Sequence, residues 1–235
     1  ISLCTPHRLH LQHLKKIIKI KKYPIIVEKP FFYLKNKKIE KIKDIESTLY
    51  KKYQNRLIVN LPMVELVGQI PKNEIPRKSK IIKFNYQTRG IYEFEEIAID
   101  LLPHAISFVF SILKQKLKTF SILKKNCKKN FWSCYIVINN VKCFFIFKQN
   151  PDNKKSALEF SLGKKKFKRV TIKKNFDEEN FLFFNNKKVK IKNPMSLSIA
   201  KSLNKLNQKG KINLNKRLVQ YNNILTYKIL KDIRK

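Results

Sequence analysis

The sequence predicts a mixed chain, α/β followed by α+β: part of a doubly wound parallel sheet, then a larger domain built on a largely antiparallel open sheet. Three observations carry that expectation. The first sixty residues alternate short apolar strands with amphipathic helices, the βαβαβ rhythm of a parallel sheet. The second half is a run of period-2 segments separated by polar turns. Between them lies one long helix that is nearly all apolar.

The elements follow in order. Residues 1–4, Ile-Ser-Leu-Cys, form a strand that stops at Thr5-Pro6, because proline excludes helical backbone before it. Residues 10–20 place Leu11, Leu14, Ile17 and Ile18 on one helical face, with lysines opposite. Residues 23–28 are a continuous apolar run of the kind buried in parallel sheets. Residues 39–53 read as a second amphipathic helix and residues 56–60 as a third strand.

The character changes near Leu61. Residues 81–86 alternate like a strand, Gly90 marks a turn, and residues 98–114 form a helix whose body must be buried against a sheet. Strands are expected at 119–123, 133–138, 141–147, 157–162 and 167–172, with more β structure over 181–192. Asn139-Asn140 fits a tight hairpin turn, since asparagine tolerates positive φ. Helices at 195–206 and 218–231 close the chain. The expected division is residues 1–62 and residues 63–235, with the C-terminal helices packing back on the first part.

Composition bounds the function. At 43% hydrophobic residues the chain is globular, not disordered. A net charge of +37 points towards polyanions. Yet 46 of the 53 basic residues are lysine and only seven are arginine, whereas bidentate phosphate and base contacts favour arginine. The lysines are spread along the chain among many Asn, Ile and Phe, a set that AT-rich codons favour. Nucleic acid is therefore expected to bind only non-specifically, steeply weakened by salt. Cys4, Cys127, Cys134 and Cys143 form no Cys-x-x-Cys pair and read as reduced residues in or near the core. No metal site is expected: His7, His10 and His13 lack a carboxylate at useful spacing. The most apolar uncharged stretch, residues 105–113, is far short of the roughly 20 residues needed to cross a bilayer. No signal peptide is visible, and a soluble cytoplasmic protein is the expectation.

Two constellations carry chemistry. Glu28-Lys29-Pro30 ends the second strand, where open α/β sheets bind ligands. Lys29, held charged beside Glu28, is suited to a ribose or substrate hydroxyl, and Pro30 fixes the backbone that aims it, by a cis peptide if need be. Asp100 and His104, four apart, share a helical face. Asp100 is placed at the helix start with Pro103 in the first turn. Its carboxylate would orient the imidazole and raise its basicity for proton exchange. Taken singly, Lys29 is also readable as one more surface lysine, and Asp100 and His104 as a helix cap and a structural histidine.

Thr5-Pro6-x-x-x-His10, Glu28-Lys29-Pro30 and Asp100-x-x-x-His104, in that order and with Gly90 before the last, resemble the Gfo/Idh/MocA family of NAD(P)-dependent oxidoreductases. The resemblance spans almost the whole chain and is motif-specific at those three places. It implies a partial Rossmann domain over residues 1–62 and a substrate and oligomerisation domain over residues 63–235. It implies hydride transfer at a hydroxyl or carbonyl carbon of a sugar, polyol or sugar derivative, with NAD or NADP as cofactor. Lys29 would bind the substrate hydroxyl and the nicotinamide ribose. His104 would be the acid/base, with Asp100 its partner. Thr5, Pro6, His10, Glu28, Lys29 and Pro30 would lie along the nicotinamide half of the cofactor. A homo-oligomer joined through the second-domain sheet is implied as well, and no membrane partner.

One departure is clear. The family opens with a strand and a Gly-x-Gly-x-x-Gly turn that receives the pyrophosphate. Here the only glycines are Gly68, Gly90, Gly163 and Gly210. Two βαβ units, on the order of 60 residues, are expected to be absent, making this a C-terminal fragment whose parent is the active enzyme. Two other classes stay open: a non-catalytic assembly remnant of the family, and a basic nucleic-acid-binding protein.

Overall fold

The computed structural model describes residues 1–20, 23–35, 38–53, 56–76, 78–152, 156–174, 177–207 and 216–231. Three short strands, β1 (Ser2–Leu3), β2 (Ile25–Val27) and β3 (Leu57–Val59), form a parallel sheet in the order β1-β2-β3. Every residue of β2 and β3 is buried, as a sheet covered on both faces requires. Helix α1 (His10–Ile20) links the first pair and buries Leu11, Leu14 and Ile18. Helix α2 (Ile39–Tyr53) links the second and turns Ile42, Glu46 and Leu49 inward at spacings of four and three. A carboxylate on that buried stripe is unusual.

A short helix that the periodicity does not suggest follows: α3 (Pro62–Gly68), opened by Pro62 at its first position, where the missing N–H costs nothing. Next come β4 (Ile81–Thr88) and α4 (Glu95–Leu113). The strands β5 (Phe120–Lys128), β6 (Phe131–Ile138), β7 (Val141–Gln149), β8 (Ala157–Leu162), β9 (Lys165–Lys174), β10 (Asp177–Phe184) and β11 (Lys187–Ile191) complete an eight-stranded sheet. Its order is β11-β10-β9-β8-β4-β7-β6-β5. All neighbours are antiparallel except β4 and β7, which run parallel. The β6–β7 turn has Asn139 and Asn140 at φ 48° and 66°, and the β10–β11 turn repeats this with Asn185 and Asn186 at 46° and 59°. These are the left-handed residues a two-residue hairpin needs.

Strict alternation sends Trp132, Cys134, Ile136 and Ile138 of β6, and Cys143, Phe145 and Phe147 of β7, to the helix-covered face. There α4 buries fourteen of its nineteen residues. It is the one helix among the described residues long and apolar enough to cross a membrane, and its burial accounts for that composition. Helix α5 (Pro194–Asn207) packs on α3, and α6 (Lys216–Lys231) packs on both α4 and α2. Leu225 and Ile229 of α6 thus join the core of the large sheet, and Val219 and Tyr227 that of the small one.

Two expectations need correction. Helix α4 begins at Glu95, so Asp100 lies in its second turn and Pro103 inside it. Of the four free cysteines, only Cys134 and Cys143 are buried; Cys4 and Cys127 are exposed.

Candidate active site

The carboxyl end of β2 meets the front of α4. Lys29 Nζ donates to Asp100 Oδ1 at 2.6 Å and to the Asp100 carbonyl at 2.8 Å, and the lysine side chain is only 11% exposed. The partner of Lys29 is therefore Asp100, not the adjacent Glu28. Glu28 instead accepts from Asn60 Nδ2 at 2.6 Å, at the end of β3. The Lys29–Pro30 peptide is cis.

Pro103 lies three residues beyond Asp100 in the same helix. It has no N–H to offer the Ile99 carbonyl, and its ring crowds that turn of α4. The other carboxylate oxygen of Asp100 accepts from Gln149 Nε2 at 2.9 Å, and Gln149 Oε1 accepts from the Tyr92 N–H at 2.9 Å. Gln149 is fully buried at the end of β7.

His104 is one turn beyond Asp100, yet among the described residues the side-chain hydrogen bonds of Asp100 go to Lys29 and Gln149. The imidazole lies edge-on to Tyr86, ring centres 5.6 Å apart. Burial holds it neutral well below the ordinary histidine value, and the positive charges of Lys29 and Arg169 push in the same direction. Burial likewise raises the Tyr86 hydroxyl. Lys29, Asp100, His104 and Tyr86 thus form one half-enclosed cluster.

His10 takes a different place. Its Nε2 is 2.6 Å from Thr5 O and its Nδ1 is 2.7 Å from Pro30 O, so the ring bridges the ends of β1 and β2 from within the protein. The Thr5 hydroxyl lies 3.3 Å from His13 Nδ1, and Pro6 opens the 3-10 turn His7–Leu9. Beside these loops a cleft of about 990 Å³ is lined by His7, Arg8, Tyr33, Tyr92, Glu96 and Ile99. The His7 ring packs against Tyr92 and Tyr33; burial lowers its pKa, opposed by Glu96 and Asp100. No group of three His, Cys, Asp or Glu side chains among the described residues could hold a metal ion.

No sequence-family model and no curated protein sequence matches the chain. Solved structures do. A dehydrogenase (MviM) from Clostridium difficile superposes with a TM-score of 0.64 at 14% identity, covering 99% of this chain and 78% of its own. A Gfo/Idh/MocA family oxidoreductase from Vibrio cholerae does so with a TM-score of 0.59 at 11% identity, covering 100% and 79%. The chain has the Gfo/Idh/MocA oxidoreductase fold. KijD10, a 3-ketoreductase from Actinomadura kijaniata crystallised with TDP-benzene and NADP, shares the fold with a TM-score of 0.64 at 9% identity, covering 96% and 75%. Within the Gfo/Idh/MocA fold the Lys29–Asp100 contact joins the parallel sheet to the helix that covers the large sheet.

Gln149, Tyr86 and Arg169 were not singled out from the sequence. Gln149 had one signal: a polar residue on the buried register of an otherwise apolar strand. Arg169 had another, an arginine kept among 46 lysines.

Proposed function

We propose that this chain carries the substrate side of an NAD(P)-dependent oxidoreductase exchanging a hydride with a hydroxyl or carbonyl carbon of a sugar, polyol or sugar derivative. The observation that carries it is the Lys29–Asp100 contact at 2.6 Å beside a buried, neutral His104. An ammonium has three N–H donors; two are engaged by Asp100, and the third is free to hold a substrate oxygen. His104, neutral, is the proton acceptor when a hydroxyl becomes a carbonyl, and returns the proton in the reverse direction. Asp100 acts on Lys29, fixing its position, and reaches His104 only through the shared turn of α4.

These residues fit the nicotinamide end of a dinucleotide: they line the crevice at the carboxyl ends of β1 and β2, where such sheets bind it. Thr5, Pro6, Glu28, Lys29 and Pro30 would flank that end, with His10 holding the loops together. When bound, the cofactor supplies or accepts the hydride. The 235 residues contain no Gly-x-Gly-x-x-Gly turn to cradle a pyrophosphate. The division at residues 62 and 63 is kept as part of this proposal. So is a homo-oligomer through the helix-free face of the large sheet, where Phe144, Ile146 and Phe183 are half exposed.

The test is NAD(P)H formation or consumption with a panel of sugars and polyols. Turnover that falls at least about 100-fold in Lys29→Ala and in His104→Ala, with the thermal transition retained, supports the proposal. Turnover unchanged in both variants rejects it.

A further inference from the structure

The helix-covered face of the large sheet is apolar along most of its length and turns polar at one end. One row of cross-strand neighbours runs Phe147, Tyr86, Leu158, Arg169, Leu182 across β7, β4, β8, β9 and β10. The next row towards the crevice holds Gln149 opposite Thr88, and Thr171 opposite Asn180. Arg169 is therefore two strands from Tyr86, roughly 10 Å across the ladder. That is within reach of a guanidinium, and Tyr86 in turn touches His104.

Arg169 is half-buried, and its hydrogen-bond partner is neutral although the Glu178 carboxylate acts on it from further off. Among the described residues its guanidinium makes hydrogen bonds only to Asn180 Oδ1, from Nε at 3.2 Å and Nη2 at 2.7 Å. Thr171 Oγ1 donates to the same oxygen at 2.9 Å, and Asn180 is 1% exposed. An amide oxygen fixes the fork but is no counter-ion, and among the described residues no carboxylate forms a salt bridge with the guanidinium. Three of the five N–H donors, including both on Nη1, remain for another acceptor. Burial pulls the guanidinium below its ordinary value, and only Tyr86 and Glu178 pull it back. A desolvated cation that hydrogen-bonds only a neutral amide, with Glu178 acting at a distance, favours an anion brought to its open donors.

We infer that Arg169 is the specificity residue of the site described above, and that the sugar-like substrate carries an anionic oxygen group, a carboxylate or a phosphate, which the free edge of the guanidinium binds. The inference rests on the oxidoreductase proposal for the rest of the substrate. The group must lie several ångströms from the reacting carbon, because Arg169 is two strands removed from Tyr86.

Binding alone tests it, by calorimetry at 150 mM salt with D-glucuronate, D-glucose 6-phosphate and D-glucose on the full chain; the salt suppresses attraction to the surface lysines. The expected result is that one or both anions bind at least about tenfold tighter than glucose. A preference for glucuronate assigns a carboxylate, and one for the phosphate ester assigns a phosphate. Arg169→Gln should remove the preference by roughly 10- to 100-fold while Lys188→Gln, at an exposed lysine, keeps it. Asn180→Asp is the second variant: it retains Arg169 but supplies an internal carboxylate at the same place, and should quench anion binding equally. Equal behaviour towards the three sugars, binding to none included, overturns the inference, as does a preference that survives both variants. A protein with no hydride transfer but Arg169-dependent anion binding would overturn the oxidoreductase proposal and leave this one standing. Turnover without anion preference would do the reverse.

Discussion

Gly90 has no side chain where the Gln149 amide sits: a methyl group at Gly90 would lie 2.7 Å from Gln149 Nε2. The glycine is required by that close approach, since its backbone is not in the left-handed region. The amide so admitted ties the Tyr92 N–H to the Asp100 carboxylate.

Gly90→Ala should therefore expel the amide and leave Asp100 with one partner, costing about 1–3 kcal/mol. Urea unfolding measures it. Gly90→Ala combined with Gln149→Ala should cost less than the sum of the two single changes, because the methyl then meets no amide. Strict additivity would show that the two do not compete for space.

Lys29 and Asp100 offer a double-mutant cycle. The pair is partly exposed, 11% and 25% by side chain, so solvent screening discounts it from a fully buried pair. A coupling of about 1–2 kcal/mol is expected between Lys29→Met and Asp100→Asn in thermal unfolding. A coupling indistinguishable from zero would mean that the two side chains do not act together.

His104 sets a sign for the pH dependence of stability. The folded protein keeps the imidazole neutral below its ordinary value of 6.5, so below that pH the unfolded chain binds a proton that the folded one refuses. Stability should fall as the pH drops below about 6.5, by at most about 1.4 kcal/mol per pH unit, and be unaffected above it. His7 contributes in the same direction, so wild type must be compared with His104→Phe. The difference between their melting temperatures should change below pH 6.5 and stay constant above it.

Glu46 carries the opposite sign. Burial in the α2–α6 interface pushes its carboxyl up to about 8, with Asn223 and Lys216 lowering it only in part. Between about 4.5 and 8 the folded state holds a proton that the unfolded chain has lost, so stability declines as pH rises through that window. Glu46→Gln, a neutral near-isostere, should be more stable than wild type at pH 8 and lose the advantage near pH 5. Thermal unfolding at the two pH values checks it.

Local chemistry made much of this fold legible. The amphipathic stripes of α1 and α2, the β6–β7 alternation and the paired asparagines are properties of neighbouring residues. Lys29 stands out because it follows a strand at a Glu-Lys-Pro turn, and Asp100 and His104 because a spacing of four puts them on one helical face; their roles remain the proposal made above. What was not legible depends on distance along the chain. That Lys29 pairs with Asp100, seventy-one residues away, follows from the docking of two sheets, which periodicity does not encode. The front of α4 lies earlier than the sequence predicts because Pro103 reads as a first-turn residue. The packed sheet and the helices beside it supply the support that lets a helix run through a proline. Short α3 carries too few residues to show a period.

That proline has a cost. Replacing it, Pro103→Ala, returns an N–H to the Ile99 carbonyl and relaxes the turn, so the protein should melt at a higher temperature. The restored N–H would bond the Ile99 carbonyl, one residue short of the Asp100 carbonyl that receives the ammonium of Lys29. The joint between the two sheets therefore falls beside the one turn of α4 that proline leaves a bond short, the place where this helix has least of its own to hold it.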